Sequence, residues 1–197
     1  MTKKILKNVL LFSMVTLLSF DMPAGWIKSG SQQKSYEMGI DIGKGKNGKN
    51  AATIKSIDAK IDGFGSLVQE SKPGKYLGKR VKMTCHVKTE NVTAWAGLWF
   101  RVEQCGSEQA PAFDNMRDRP IKGTTDWTKY EIVLDVSQNA IQLTYGVMLN
   151  GTGQIWFDNM TFEVVDNTVK LTGIQPPVVK TERPPMVDEP INLDFEK

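Results

Sequence analysis

Residues 80–88 read RVKMTCHVK and residues 95–103 read WAGLWFRVE. In the first stretch Val81, Met83, Cys85 and Val87 alternate with Lys82, Thr84, His86 and Lys88. In the second, Ala96, Leu98, Phe100 and Val102 alternate with Trp95, Gly97, Trp99, Arg101 and Glu103. A strict period of two places each set on one face of a pleated strand, the apolar set toward a core. With Asn91–Thr93 between them, the two stretches read as a hairpin over 79–89 and 95–104. In that register Cys85 faces roughly Trp99 and Cys105 lies near the far end, out of reach for a disulfide. Both thiols read as reduced, with Cys85 a small core residue.

Working outward, the same signals recur along the chain. Tyr36–Asp41, Ala51–Ile57, Phe64–Gln69, Trp127–Val136, Ala140–Leu149 and Gln154–Val165 read as further strands. Between them stand a glycine-lysine loop (Gly43, Gly45, Asn47, Gly48) and a turn at Pro73-Gly74 with Gly78. In the stretch from Ala140, the residues Ile141, Leu143, Tyr145, Val147 and Leu149 oppose Gln142, Thr144, Gly146, Met148 and Asn150. No segment carries a helical period. Many short strands at this spacing define an all-β chain, an antiparallel β-sandwich of the jelly-roll kind.

Composition narrows the function. A chain of 197 residues with 40% hydrophobic and 9% aromatic content can bury the core of one domain or slightly more. Lys+Arg 25 against Asp+Glu 22 leaves +3, and much of the excess sits at Lys3, Lys4, Lys7, Lys44, Lys46 and Lys49. The rest is near neutral, so no nucleic-acid partner is expected. One histidine and two cysteines argue against a zinc finger or a histidine-rich metal centre.

The termini read differently from the middle. Lys3, Lys4 and Lys7 before Val9–Leu18 resemble a secretory leader over residues 1–16, yet no small-x-small cleavage site follows. The apolar run falls short of the ~18–20 residues that span a bilayer, so no integral membrane span is expected. Three readings stand: export of the chain to the outside or the cell surface, an uncleaved anchor, or a plain first strand at Leu17–Asp21 of a cytoplasmic chain, opening a domain over 17–166. Residues 167–190, framed by Pro176-Pro177 and Pro184-Pro185, read as a proline-rich linker. Residues 191–197 repeat the apolar-aromatic-acidic pattern of Leu17–Asp21 and read as the start of a truncated second copy.

Three runs carry a resemblance: Gly123–Tyr130 (GTTDWTKY), Tyr145-Gly146-Val147, and Gly151–Asp158 (GTGQIWFD), with Gly25-Trp26, Gly78-Lys79-Arg80 and Val87–Glu90 in the first half. In order and spacing the stretch 17–166 resembles galactose-binding-like jelly rolls of the carbohydrate-binding-module type. Trp95–Trp99 (WAGLW) and Phe113–Met116 (FDNM) are similar to a bacterial subgroup often called AraC-type transcriptional regulators or appended to secreted peptidases. The regulator name implies a helix-turn-helix, and no segment here reads as one. The resemblance implies an accessory, non-catalytic binding module whose partner is a glycan or small molecule. It also implies a structural calcium at Asp21 and Asp158, the acid after the opening aromatic and the acid of the W-x-D motif. No other cofactor is implied, and oligomeric state is left open.

The ligand face expected on such a module consists of outward residues of adjacent strands: His86, Trp99, Arg101, Gln142, Thr144 and Met148, joined by Asp114 and Asn115 from a loop. Sugar rings stack on aromatic faces and their hydroxyls pair with amide, carboxylate and guanidinium groups. The competing reading has a loop folded over this face, Trp99 in the core and Arg101 paired with Asp114 or Glu103. Trp26, Trp127 and Trp156 read as packing residues. No catalytic constellation is apparent: Ser29-Gly30-Ser31 lacks a nucleophile-elbow context, and the 43–49 loop resembles a phosphate cradle in composition only. A structural spacer, or a regulator without a recognisable DNA-binding motif, are the alternatives.

Overall fold

The computed structural model describes residues 20–104 and 112–173. Nine strands appear in chain order: β1 (Ile27–Ser29), β2 (Tyr36–Asp41), β3 (Ala51–Ser56), β4 (Phe64–Ser71), β5 (Lys79–Gln104), β6 (Ala112–Asp114), β7 (Ile121–Val136), β8 (Ala140–Asn150) and β9 (Gln154–Val165). The helical content among the described residues is two 3-10 turns, Gln33–Ser35 and Gly74–Tyr76. The expected leader, Cys105, the second-copy segment and most of the expected linker lie outside the described residues.

The 80–88 and 95–103 stretches do not form the expected hairpin. They belong to one strand of 26 residues, which passes from one layer of the sandwich to the other. Its first half pairs with β7 on one side and β9 on the other. Its second half pairs with β8 and β6. The back layer is therefore β7-β5-β9-β3-β2, and the front layer is β6-β5-β8-β4-β1, all antiparallel. Between the halves the ladder with β7 slips at Val87/Thr89, Thr89/Val92 and Val92/Ala96, and Asn91 takes a left-handed φ of 53°. Successive bulges bend and twist a strand without reversing it.

Alternation produces the core as read. Val81, Met83, Cys85, Val87, Ala96, Leu98, Phe100 and Val102 are all 0% exposed. They meet Met38 and Ile54 from the back layer and Leu67, Val147 and Leu149 from the front. Burial pushes the Cys85 thiol up to about 12, which keeps it protonated and inert. Trp26 packs against this core, its ring 6.2 Å from Tyr145 and 5.6 Å from Phe157.

At the N-terminal end Asp21 makes only an isolated bridge with Ile40. At the other end the chain past β9 stays docked. Arg80 donates to the carbonyls of Asn167 (2.5 Å) and Val169 (2.7 Å), and Thr172 exchanges hydrogen bonds with Val133 on the β7 edge. Residues 167–173, expected as linker, thus cover that edge. An uncovered edge would leave backbone groups free to pair with another chain.

Candidate functional site

The outward side of the front layer is built row by row from strand register. One row is Trp99, Gly146, Val68 and Ile27; the next is Phe113, Arg101, Thr144 and Glu70; another is Gly97, Met148, Ser66 and Ser29. Trp99 is half-buried and lies along the sheet rather than standing off it. Its Nε1–H donates to Ser66 Oγ at 2.9 Å, and Ser66 in turn donates to the Val147 carbonyl at 2.8 Å. A Cβ on Gly146 would sit 3.2 Å from Trp99 Nε1 and would collide with the Leu67 carbonyl. The missing side chain at 146 is what lets the indole lie down. With its polar atom already paired, the ring offers an apolar face.

Beside this platform lies a polar strip. Arg101 Nε meets Glu103 Oε1 at 2.5 Å and its Nη2 meets Oε2 at 3.3 Å, a two-point pair that fixes the guanidinium plane. Opposite them Gln142 Nε2 donates to Thr144 Oγ1 at 3.0 Å. Of the expected face, Trp99, Arg101, Gln142, Thr144 and Met148 come together. Met148 is 9% exposed, because the Asn115–Met116 segment passes over Gly97 in the same row. Asn115 therefore borders the face, its side chain accepting from Arg117 N at 3.2 Å.

Two expected members lie elsewhere. Asp114 pairs in register with the core-facing Phe100, so it points between the layers, where it is 5% exposed. Arg119 holds it through Nη2 at 2.6 Å and Nη1 at 3.2 Å. His86 sits on the outward side of the back layer, beside Lys129 of β7 and Asp158 of β9. Both displacements follow from local register. His86 joins Trp99 on one face only if 80–103 is a hairpin, and Asp114 reaches the surface only if 112–114 is loop. Ser66 and Gly146, which seat the indole, were missed as site residues. The signal was a serine at an outward position between Phe64 and Val68 in the apolar part of β4.

The outward side of the back layer has its own tryptophan. Trp156 donates to Asp41 Oδ2 at 2.7 Å and is covered by Lys88, whose Nζ lies 5.9 Å from the ring centre. The 42–50 loop folds toward Asp158, whose Oδ2 accepts from Lys46 N at 3.1 Å and Oδ1 from Asn159 N at 2.7 Å. These contacts bear on the expected calcium. Both oxygens of Asp158 already accept backbone N–H groups, and Asp21 is exposed at an isolated bridge. Among the described residues no three His, Cys, Asp or Glu side chains are placed to hold a metal ion. A hard cation completes its shell with backbone carbonyls and water as well as carboxylates.

No known family model matches the chain. A relative from Bacillus subtilis (strain 168), named "Uncharacterized HTH-type transcriptional regulator YbfP", is 41% identical over 174 residues, 88% of this chain and 57% of the relative. The chain thus spans little more than half the length of that relative, whose name specifies no AraC-type subgroup. Among solved structures, the CBM22-1 xylan-binding domain of Paenibacillus barcinonensis Xyn10C is similar with a TM-score of 0.53 and 14% identity, over 76% of this chain and 92% of that one. The CBM22-1-GH10 modules of Clostridium thermocellum xylanase 10B, solved with xylohexaose, give a TM-score of 0.54 and 16% identity over 79% and 28%. These likenesses show the fold, a jelly roll of the carbohydrate-binding-module type. No helix among the described residues is long and apolar enough to cross a membrane.

Proposed function

We propose that this domain is a non-catalytic glycan-binding module and that the outward side of its front layer is the binding face. The observation that carries this reading is the seating of Trp99: an indole laid over Gly146 and pinned to Ser66, with Arg101, Glu103, Thr144 and Gln142 alongside. A flat apolar ring bordered by fixed hydrogen-bonding groups suits a pyranose stacking one face while its hydroxyls pair at the rim. The fold it shares with modules such as the xylan-binding domain of Xyn10C supports the reading by analogy.

The test is a screen of neutral oligosaccharides and soluble polysaccharides by titration calorimetry, run on the protein and on Trp99→Ala. Loss of about thirtyfold or more in affinity, the size expected of a stacked aromatic anchor, with the melting transition retained, supports the reading. Equal binding by both proteins, or no binding to any glycan in the screen, overturns it.

The Bacillus subtilis relative favours a second, compatible reading, in which the module serves a longer regulator as its ligand-sensing part. DNA contact would then come from outside the described residues, which contain no α-helix. Salt-dependent DNA binding by this chain alone would speak against that division of labour.

A further inference from the structure

We propose a second ligand site, on the back layer: a cleft between the 42–50 loop and the β9 bulge that takes an oxyanion, the carboxylate of an acidic glycan. It is distinct from the Trp99 face and rests on the glycan reading only for the carrier of that carboxylate.

The cleft encloses about 550 Å³ and is lined by Asn47, Lys49, Asn50, Asp158 and Asn159. Lys49 brings a cation, and three asparagines bring neutral hydrogen-bonding groups. Asn50 Oδ1 accepts from Gly43 N at 3.3 Å, which leaves its NH2 to offer outward. Asn159 is carried into place by a bulge in β9, where the ladder with β5 slips between Thr84↔Thr161 and His86↔Asp158, at a left-handed φ of 53°. The one carboxylate in the lining, Asp158, is engaged on both oxygens by backbone N–H groups and keeps its charge, which the lysines around it outnumber. The loop is not a phosphate cradle. The amides of Gly43, Gly45, Lys46 and Gly48 are all bonded internally, so side chains must hold the ligand.

The surroundings are rich in lysines that no ion pair holds. Among the described residues Lys44, Lys46, Lys49 and Lys129 form no ion pair. Next to the cleft, His86 carries a buried Nδ1 with no hydrogen-bond partner. The groups facing it are Lys46 from the loop, Lys129 from β7 and Asp158 from β9. Burial first, then the two lysines, lower its pKa. Clustered like charges destabilise a compact surface, and a bound anion removes that repulsion. It also favours the protonated imidazole, so binding tightens as pH falls.

The experiment is a 1H–15N titration of the intact chain with trigalacturonate, with inorganic phosphate and with an uncharged oligosaccharide, at neutral pH and about one unit lower. Trigalacturonate is expected to shift the amides of Gly45, Gly48 and Asn159, more tightly at the lower pH, with at least tenfold weakening in Lys46→Gln/Lys49→Gln. That double variant lies on the exposed loop and should keep its melting transition and its Trp99-dependent binding of neutral glycan. Absence of shifts at those amides with both anions overturns the site, and leaves the front-face reading untouched. Shifts by phosphate at lower concentration than by trigalacturonate overturn the glycan carrier.

Discussion

The two outward faces of this sandwich each hold a tryptophan with its N–H fixed to an oxygen, Trp99 to Ser66 and Trp156 to Asp41. They differ in what lies against the ring. Trp99 rests over a glycine and stays half-buried, while Trp156 carries Lys88 above it and is only 8% exposed. Tryptophan count alone therefore does not locate a binding platform. A small residue beneath and open space above do, and the covered indole of the back layer acts as packing for a face whose chemistry is carried by lysine and asparagine.

The sharpest way to break this contrast is Gly146→Ala. The added methyl collides with the Leu67 carbonyl and crowds Trp99 Nε1, so the indole must lift. Overpacking of this kind costs about 2–3 kcal/mol, read as a lowered denaturant midpoint, and glycan affinity should fall with it. Retention of both would mean that the seat under Trp99 is not needed.

Next come the two indole partners. Asp41→Ala leaves the Trp156 N–H buried and unpaired at a cost of about 1–3 kcal/mol, with front-face binding unchanged. Ser66→Ala costs about 1 kcal/mol but weakens glycan binding, because the platform loosens. If the two variants have the same binding phenotype, the faces are not functionally separate.

The smallest effect concerns pH. The lowered pKa of His86 means the unfolded chain binds its proton more readily than the folded one. Stability is then complete above the unfolded value of about 6.5 and declines as pH falls through the folded value. His86→Gln should flatten that part of the stability curve, a small effect because the imidazole is largely solvated. A curve unchanged by the substitution would place the acid sensitivity elsewhere.

Most strands were legible because burial on one face forces period-two alternation, as Val81 to Val87 and Ala96 to Val102 demonstrate. β1 and β6 were not, since three residues are too few to show a period. The path of β5 was misread for a physical reason. A polar tripeptide such as Asn91–Thr93 signals a turn and a run of bulges equally well, and only distant partners, β7 through β9, decide between them. That ambiguity carried His86 to the wrong face. Arg101, Gln142, Thr144 and Met148 were placed on the Trp99 face by alternation alone. Ser66 was not, because its partner Trp99 lies two strands away across β8, and an outward serine in one segment does not name a distant indole.

Strand β5 also governs when the molecule can come together. Every strand with which it pairs, β6 to β9, lies after it in the chain. Of the strands before it, β2 pairs with β3 and β1 with β4. A nascent or truncated chain ending before β6 thus holds the β2–β3 hairpin, the short β1–β4 ladder and a long apolar strand with unfilled edges. Such high sequence separation slows folding and exposes the chain to aggregation. Acquisition of structure is therefore expected to be late and nearly all-or-none, with both layers closing together around the strand they share.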